Sequence, residues 1–213
     1  NAQYLFVMPG ASLSVQEADK CFKTIKDIYP KPDFIVFSGS LAPGMADSVV
    51  AQFAVIAKEL NAKFIVDTSG EPLKKAVEEG AFLVKPNLSE LCFLVEKEFL
   101  ELSEVDNAAK SIIEKGHTEV IVVSMGPSGA LLVTKDLCKR VPAPIVKKQS
   151  TVGAGDSMVA GISFMLMQNK PLIEAVQFGV ACGTAAIMNK GTQLCRKEDV
   201  GKLFDWIRTN SSN

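Results

Sequence analysis

Between residues 150 and 157 the chain reads Ser-Thr-Val-Gly-Ala-Gly-Asp-Ser, and an apolar run, Met158–Phe164, follows directly. Those residue types in that order suit anion chemistry. Met158-Val159-Ala160-Gly161-Ile162-Ser163-Phe164 reads as a helix, so the glycine-containing stretch lies at its N-terminus, where free backbone N–H groups and the positive end of the helix dipole gather. Gly153 and Gly155 let the backbone approach a phosphate closely. Asp156 is misplaced if the loop only binds phosphate, because it sets a carboxylate beside the incoming anion. It fits if the carboxylate takes a proton from a hydroxyl while the amides stabilise a transferring phosphoryl group, a role typically worth roughly 10²–10⁴-fold in rate. The competing reading makes Asp156 a plain N-cap on a buried helix. The pattern alone leaves both open.

Other chemistries fail on spacing. A Walker loop needs GxxxxGK[ST], which is absent. GxGxxG breaks at Met158, and Lys147-Lys148-Gln149 precedes the loop where a strand is required. Gly126-Pro127-Ser128-Gly129 has the wrong spacing for a nucleophile elbow, and the HRD and DFG motifs of protein kinases are missing. His117 is the single histidine and falls in an expected turn, which argues against Ser-His catalysis.

The elements that must hold this loop follow from periodicity. Phe34–Phe37, Phe64–Val66 and Val120–Val123 are short, continuously apolar and rich in β-branched residues, as strands covered on both faces are. Phe82–Val84 is a shorter candidate, Ala130–Val133 with 137–146 reads as a hairpin, and Leu5-Phe6-Val7-Met8 as a lone strand. Amphipathic stretches at 14–28, 46–60, 71–79, 87–96, 103–115, 156–168, 171–188 and 197–208 are expected helices. Alternation of this kind predicts an α/β fold with a mostly parallel sheet. Ligands of such sheets bind beyond the carboxyl ends of the strands. There the sequence places Ser38-Gly39-Ser40, Asp67-Thr68-Ser69-Gly70, Lys85-Pro86-Asn87 and Ser124-Met125-Gly126.

Composition narrows the partners. Lys and Arg number 23 against 24 Asp and Glu, a net charge of −1, so no basic excess exists to hold nucleic acid or an anionic membrane. No apolar run approaches a membrane span. Five cysteines, odd in number and without CxxC spacing, suit reduced thiols in the cytoplasm better than zinc or disulfides. The opening Asn1-Ala2-Gln3-Tyr4 shows neither initiating Met nor signal peptide and is expected to continue from a longer protein.

Several ordered motifs then match one family. Thr151–Ser157 resembles the C-terminal signature of the ribokinase-like (PfkB) carbohydrate kinases. Phe6–Ala11, Ser38–Leu41, Val66–Glu71, Val84–Asn87 with Glu90, Val123–Pro127 and Asn189–Thr192 are similar to other stretches of the same family, so the resemblance runs from about Phe6 to Trp206. It implies a single three-layer α/β/α sandwich over 1–213 and ATP-dependent phosphorylation of a phosphorylated ketohexose, foremost fructose 6-phosphate to fructose 1,6-bisphosphate. It assigns Asp156 as the base and the amides of Gly153, Ala154 and Gly155 as the anion hole. Lys85 would contact ATP phosphates. Asn87 and Glu90 would arrange Mg²⁺ through water, and the same pair also reads as a capping box. Ser124, Gly126 and Gly129 would line the nucleotide site, and Gly39 and Ser40 the sugar phosphate. Ser150, Val152, Ala186, Asn189, Gly191 and Gln193 resemble a K⁺ site made mostly of carbonyls, with Gln193 standing where a relative carries a basic residue.

Family members run longer, and their first third supplies sugar contacts and a lid that also forms a dimer interface. A homodimer is therefore expected only of the longer protein, and this chain alone is expected to transfer phosphate poorly, because an open site admits water. The rival substrates are those of 1-phosphofructokinase and tagatose-6-phosphate kinase. Outside that class stand a non-catalytic nucleotide-binding regulatory domain and, more distantly, a nicotinamide dehydrogenase.

Overall fold

A computed structural model describes Met8 and residues 10–211. The strand expected at Leu5–Met8 lies outside them apart from Met8, which is exposed. The strands are β1 Phe34–Ser38, β2 Lys63–Asp67, β3 Leu83–Val84, β4 Val120–Ser124, β5 Ala130–Val133 and β6 Cys138–Val141. The helices are α1 Val15–Lys26, α2 Ser48–Leu60, α3 Gly70–Glu79, α4 Leu88–Leu94, α5 Val105–Glu114, α6 Ala154–Met167, α7 Leu172–Ile187 and α8 Lys197–Asn210.

The sheet runs β1-β2-β3-β4-β5-β6, parallel from β1 to β4 and antiparallel through the β4–β5–β6 turns. Strands laid down in sequential order need crossovers of one hand, which puts the connecting helices on one face. The core divides accordingly. Val66, Val84, Ile121, Val123 and Leu131 pack with Val50, Leu73, Leu91 and Ile112 of α2–α5. Their neighbours along the strands, Ile65, Leu83, Val120, Val122 and Leu132, point the other way and pack with Ile162, Val176 and Ile207 of α6–α8. Strand alternation with both faces apolar thus produces the expected α/β/α layers. Each fully buried Leu or Ile contributes roughly 1.5–3 kcal/mol.

Local chemistry sets the helix ends. Ser14 and Glu17 close a capping box on α1, and Asn87 and Glu90 close one on α4. Asn61 and Gly80, both left-handed, stop α2 and α3. Among the described residues no helix is long and apolar enough to cross a membrane.

Candidate active site

The helix expected from residue 156 begins earlier, at Ala154, with Gly153 as its N-cap at φ +76°. Asp156 is therefore the third residue of α6 and makes no capping bond, so the N-cap reading of Asp156 is overturned. Periodicity missed the two leading residues because Ala-Gly carries no apolar signal and glycine is a poor helix former. Gly153 suits its place because few side chains tolerate that φ, and the Leu194 side chain lies 2.9 Å from where its Cβ would stand. The first intrahelical bond runs from the Ser157 amide to the Gly153 carbonyl at 2.9 Å. The amides of Gly155 and Asp156 precede it and have no helical acceptor. The Ala154 amide donates weakly to the Thr151 carbonyl at 3.4 Å.

The Asp156 side chain is exposed, and its Oδ1 accepts a hydrogen bond from Ser38 Oγ at 2.9 Å. Beside it, Lys85 Nζ lies 3.0 Å from Asp67 Oδ1, the two side chains only 5% and 15% exposed. The missing side chain of Gly155 makes room for that pair: a Cβ there would stand 3.4 Å from Asp67 Oδ2 and 3.5 Å from Lys85 Nζ. Burial pushes the Asp67 carboxyl above its ordinary range against the pull of Lys85, and the charge of Asp156 adds to the rise. Burial also raises Glu90, opposed by the Asn87 amide and Lys85 and reinforced by Asp67. Asp67 thus feels Lys85 and Asp156, and Glu90 feels Lys85 and Asp67, so charge gathers at this end of the sheet.

Glu90 Oε2 accepts from the Asn87 amide at 2.7 Å, while Asn87 Oδ1 accepts from the Glu90 amide at 2.9 Å. The capping half of the expected role is present, and it leaves Glu90 Oε1 without a hydrogen bond. Ser124 donates its amide to the Pro86 carbonyl at 2.8 Å, tying the end of β4 to Asn87. Gly126 opens a tight turn that Gly129 closes, and the Met125 amide donates to the Gly129 carbonyl at 2.8 Å. Gly39 and Ser40 follow β1 and are exposed.

The residues expected around a monovalent cation fall into two groups. Ser150 Oγ donates to the Gly191 carbonyl at 2.7 Å and accepts from the Val152 amide at 3.2 Å. Asn189 donates its amide to the Ala186 carbonyl at 3.1 Å and its side chain to Ala185 and Leu194 carbonyls. Gln193 stands apart: it is exposed and bonds only through its own amide to Lys190. Ser38 and Asp67 were legible as strand-end residues, whereas the Ser38–Asp156 and Lys85–Asp67 contacts and Gly155's spacing role were not, since they join distant parts of the chain.

A cleft of about 1050 Å³ lies at the opposite end of the sheet, against Lys63, Phe82, Val120 and Leu172. None of the residues around Asp156 borders it, so the candidate site lies apart from that cleft.

The chain is similar to known proteins along most of its length. The chain is 43% identical over 206 residues to the ATP-dependent 6-phosphofructokinase isozyme 2 of Escherichia coli, covering 96% of the chain and 66% of that protein. It is 35% identical over 175 residues to the 1-phosphofructokinase of Borreliella burgdorferi, covering 82% of the chain and 56% of that protein. A crystal structure of phosphofructokinase-2 from Escherichia coli in complex with potassium superposes with a TM-score of 0.91 at 42% identity, over 97% of this chain and 67% of that one. The chain thus spans less than two thirds of the length of these curated relatives. Residues 1–199 match the model for pfkB family carbohydrate kinases, and the chain belongs to that family.

Proposed function

We propose that the protein containing this chain is an ATP-dependent kinase that phosphorylates fructose 6-phosphate to fructose 1,6-bisphosphate. One observation carries the reading: an exposed carboxylate, Asp156, on the first turn of α6, directly beside amides that have no helical acceptor. Asp156 takes the proton of the attacking sugar hydroxyl. The amides at the head of α6 receive charge developing on the phosphoryl oxygens. Lys85, held by Asp67, presents a fixed cation to the nucleotide phosphates. Such transfers rest on positioning and electrostatics and need no covalent enzyme intermediate.

A divalent cation fits the residues present only as a hydrated ion. Among the described residues no three His, Cys, Asp or Glu side chains are placed to cage a metal. Asp67 is engaged by Lys85, and one Glu90 oxygen by Asn87. Glu90 Oε1 and Asn87 would hold Mg²⁺ through its waters, and the ion would supply charge neutralisation at the phosphates. A K⁺ ion fits the crossing of the 150–152 and 186–191 segments. The Gly191 carbonyl takes one hydrogen bond, from Ser150 Oγ, and keeps a second lone pair. We read Gln193 as a weak member of that set.

Similarity to a 1-phosphofructokinase keeps fructose 1-phosphate, and with it tagatose 6-phosphate, as second substrates of the same chemistry. Residues 1–213 are read as one ribokinase-like domain, in the cytoplasm, with dimerisation a property of the longer protein that sedimentation would measure. The test is ADP release by the full-length protein on a panel of ketohexose phosphates. Turnover highest on fructose 6-phosphate supports the reading. ATP binding without turnover on any sugar would favour a regulatory nucleotide-binding domain.

A further inference from the structure

Ser38 is the last residue of β1, and strand alternation decides which way it faces. Ile35 and Phe37 pack into the α2–α5 layer, whereas Phe34 packs against the α6–α8 layer. The period of two puts Ser38 with Phe34 on the α6 side. Its backbone is held by the sheet: Ser38 is in register with Asp67, and the next amide, that of Gly39, donates to the Asp67 carbonyl at 2.9 Å. From this fixed point Ser38 Oγ reaches Asp156 Oδ1 at 2.9 Å, across 118 positions of sequence.

We infer that Ser38 is a positioning residue for phosphoryl transfer: its hydroxyl holds Asp156 Oδ1 and leaves Oδ2 as the oxygen that meets the sugar hydroxyl. This rests on Asp156 being the base. A general base must stand within about 2.6–3.2 Å of the oxygen whose proton it takes. An aspartate on the first turn of a helix, exposed on one side, has several rotamers open to it. One bond from a rigid strand end removes that freedom. The donor is neutral, so it orients the carboxylate without setting a second cation beside the phosphates. Lys85 cannot serve in its place, being engaged by Asp67. In the reaction the sugar O–H bond breaks and its proton goes to Oδ2. The sugar oxygen bonds to the γ-phosphorus, the bond from phosphorus to the ADP oxygen breaks, and Ser38 keeps its own proton throughout.

The test is a double-mutant cycle on the full-length protein with ATP and fructose 6-phosphate, kcat and both KM values being read for Ser38→Ala, Asp156→Asn and the pair. Ser38→Ala is expected to lower kcat on the order of tenfold, equivalent to about 1.4 kcal/mol of barrier, with KM for ATP within about twofold. Ser38→Thr, which restores a hydroxyl, is expected to recover most of that loss. In the Asp156→Asn background, Ser38→Ala is expected to cost nothing further. If Asp156→Asn is inactive while Ser38→Ala turns over like the parent, Ser38 positions nothing and the inference falls alone. An equal loss in both backgrounds, or a raised sugar KM at unchanged kcat, assigns Ser38 to the fold or to substrate contact and also overturns it. Full turnover by Asp156→Asn removes the base itself, and the inference with it.

Discussion

Lys85 and Asp67 form a buried ion pair, Nζ to Oδ1 3.0 Å, at the ends of adjacent strands β3 and β2. Its members come from Lys85, just past β3, and Asp67, the last residue of β2, so the parallel register of Ile65 with Leu83 and Val66 with Val84 delivers both to one spot. The pair couples the fold to the site: the same cation that offsets a buried carboxylate would face the nucleotide.

Lys85→Ala should destabilise the protein by about 3–5 kcal/mol, because it strands Asp67 as an uncompensated buried charge. Urea denaturation measures it. The double replacement Lys85→Met with Asp67→Leu should recover much of that stability, since an apolar pair often substitutes for a buried ion pair, yet leave phosphoryl transfer crippled. Stability lost equally in the double variant would show that the pair holds the fold by more than charge.

Glu90→Gln separates the two roles of that residue. Glutamine keeps the acceptor that caps Asn87, so α4 should stay intact. The folded-state Glu90 carboxyl lies above its ordinary value because of burial. The native state therefore holds that proton more tightly than the unfolded chain, and this group's contribution to stability declines as pH rises from the ordinary glutamate range through the raised folded value. Glutamine has no such titration. The stability of Glu90→Gln relative to the parent should grow across that window and vanish below it, while turnover falls. Thermal unfolding at several pH values reads the first and ADP release the second.

Much of this was legible beforehand because burial on both faces writes continuous apolar strands. Phe34–Phe37, Phe64–Val66 and Val120–Val123 each lie inside an observed strand, and the expected helices at 46–60, 103–115, 171–188 and 197–208 match α2, α5, α7 and α8 to within a few residues. The failures have local causes. Phe82 falls outside β3, and its ring lies beneath the Lys63 ammonium, 4.4 Å from the ring centroid. The head of α6 was hidden by Ala154-Gly155. In the site, Asp156, Lys85, Asn87 and Glu90 were visible as residue types at strand and helix ends. Ser38 and Asp67 were visible only as polar residues at strand ends, and their roles were not, because what distinguishes them is a partner distant in sequence: Ser38 looks like any turn serine until β1 is set beside α6.

Gly129→Ala should cost well over about 2 kcal/mol. The residue sits at φ +82°, and an added Cβ would stand 2.0 Å from the Val141 carbonyl oxygen, which belongs to a backbone fixed by the β5–β6 ladder. Chemical denaturation is the measurement; a shift of a few tenths of a kcal/mol would mean that the turn relaxes freely.

Asp156→Asn tests the central claim. In the full-length protein, kcat for phosphorylation of fructose 6-phosphate is compared with ATP affinity by calorimetry. The account predicts that kcat falls by roughly 10²–10⁴-fold while nucleotide affinity holds, because the amide cannot accept the sugar proton yet leaves the head of α6 in place. Turnover near that of the parent would contradict it.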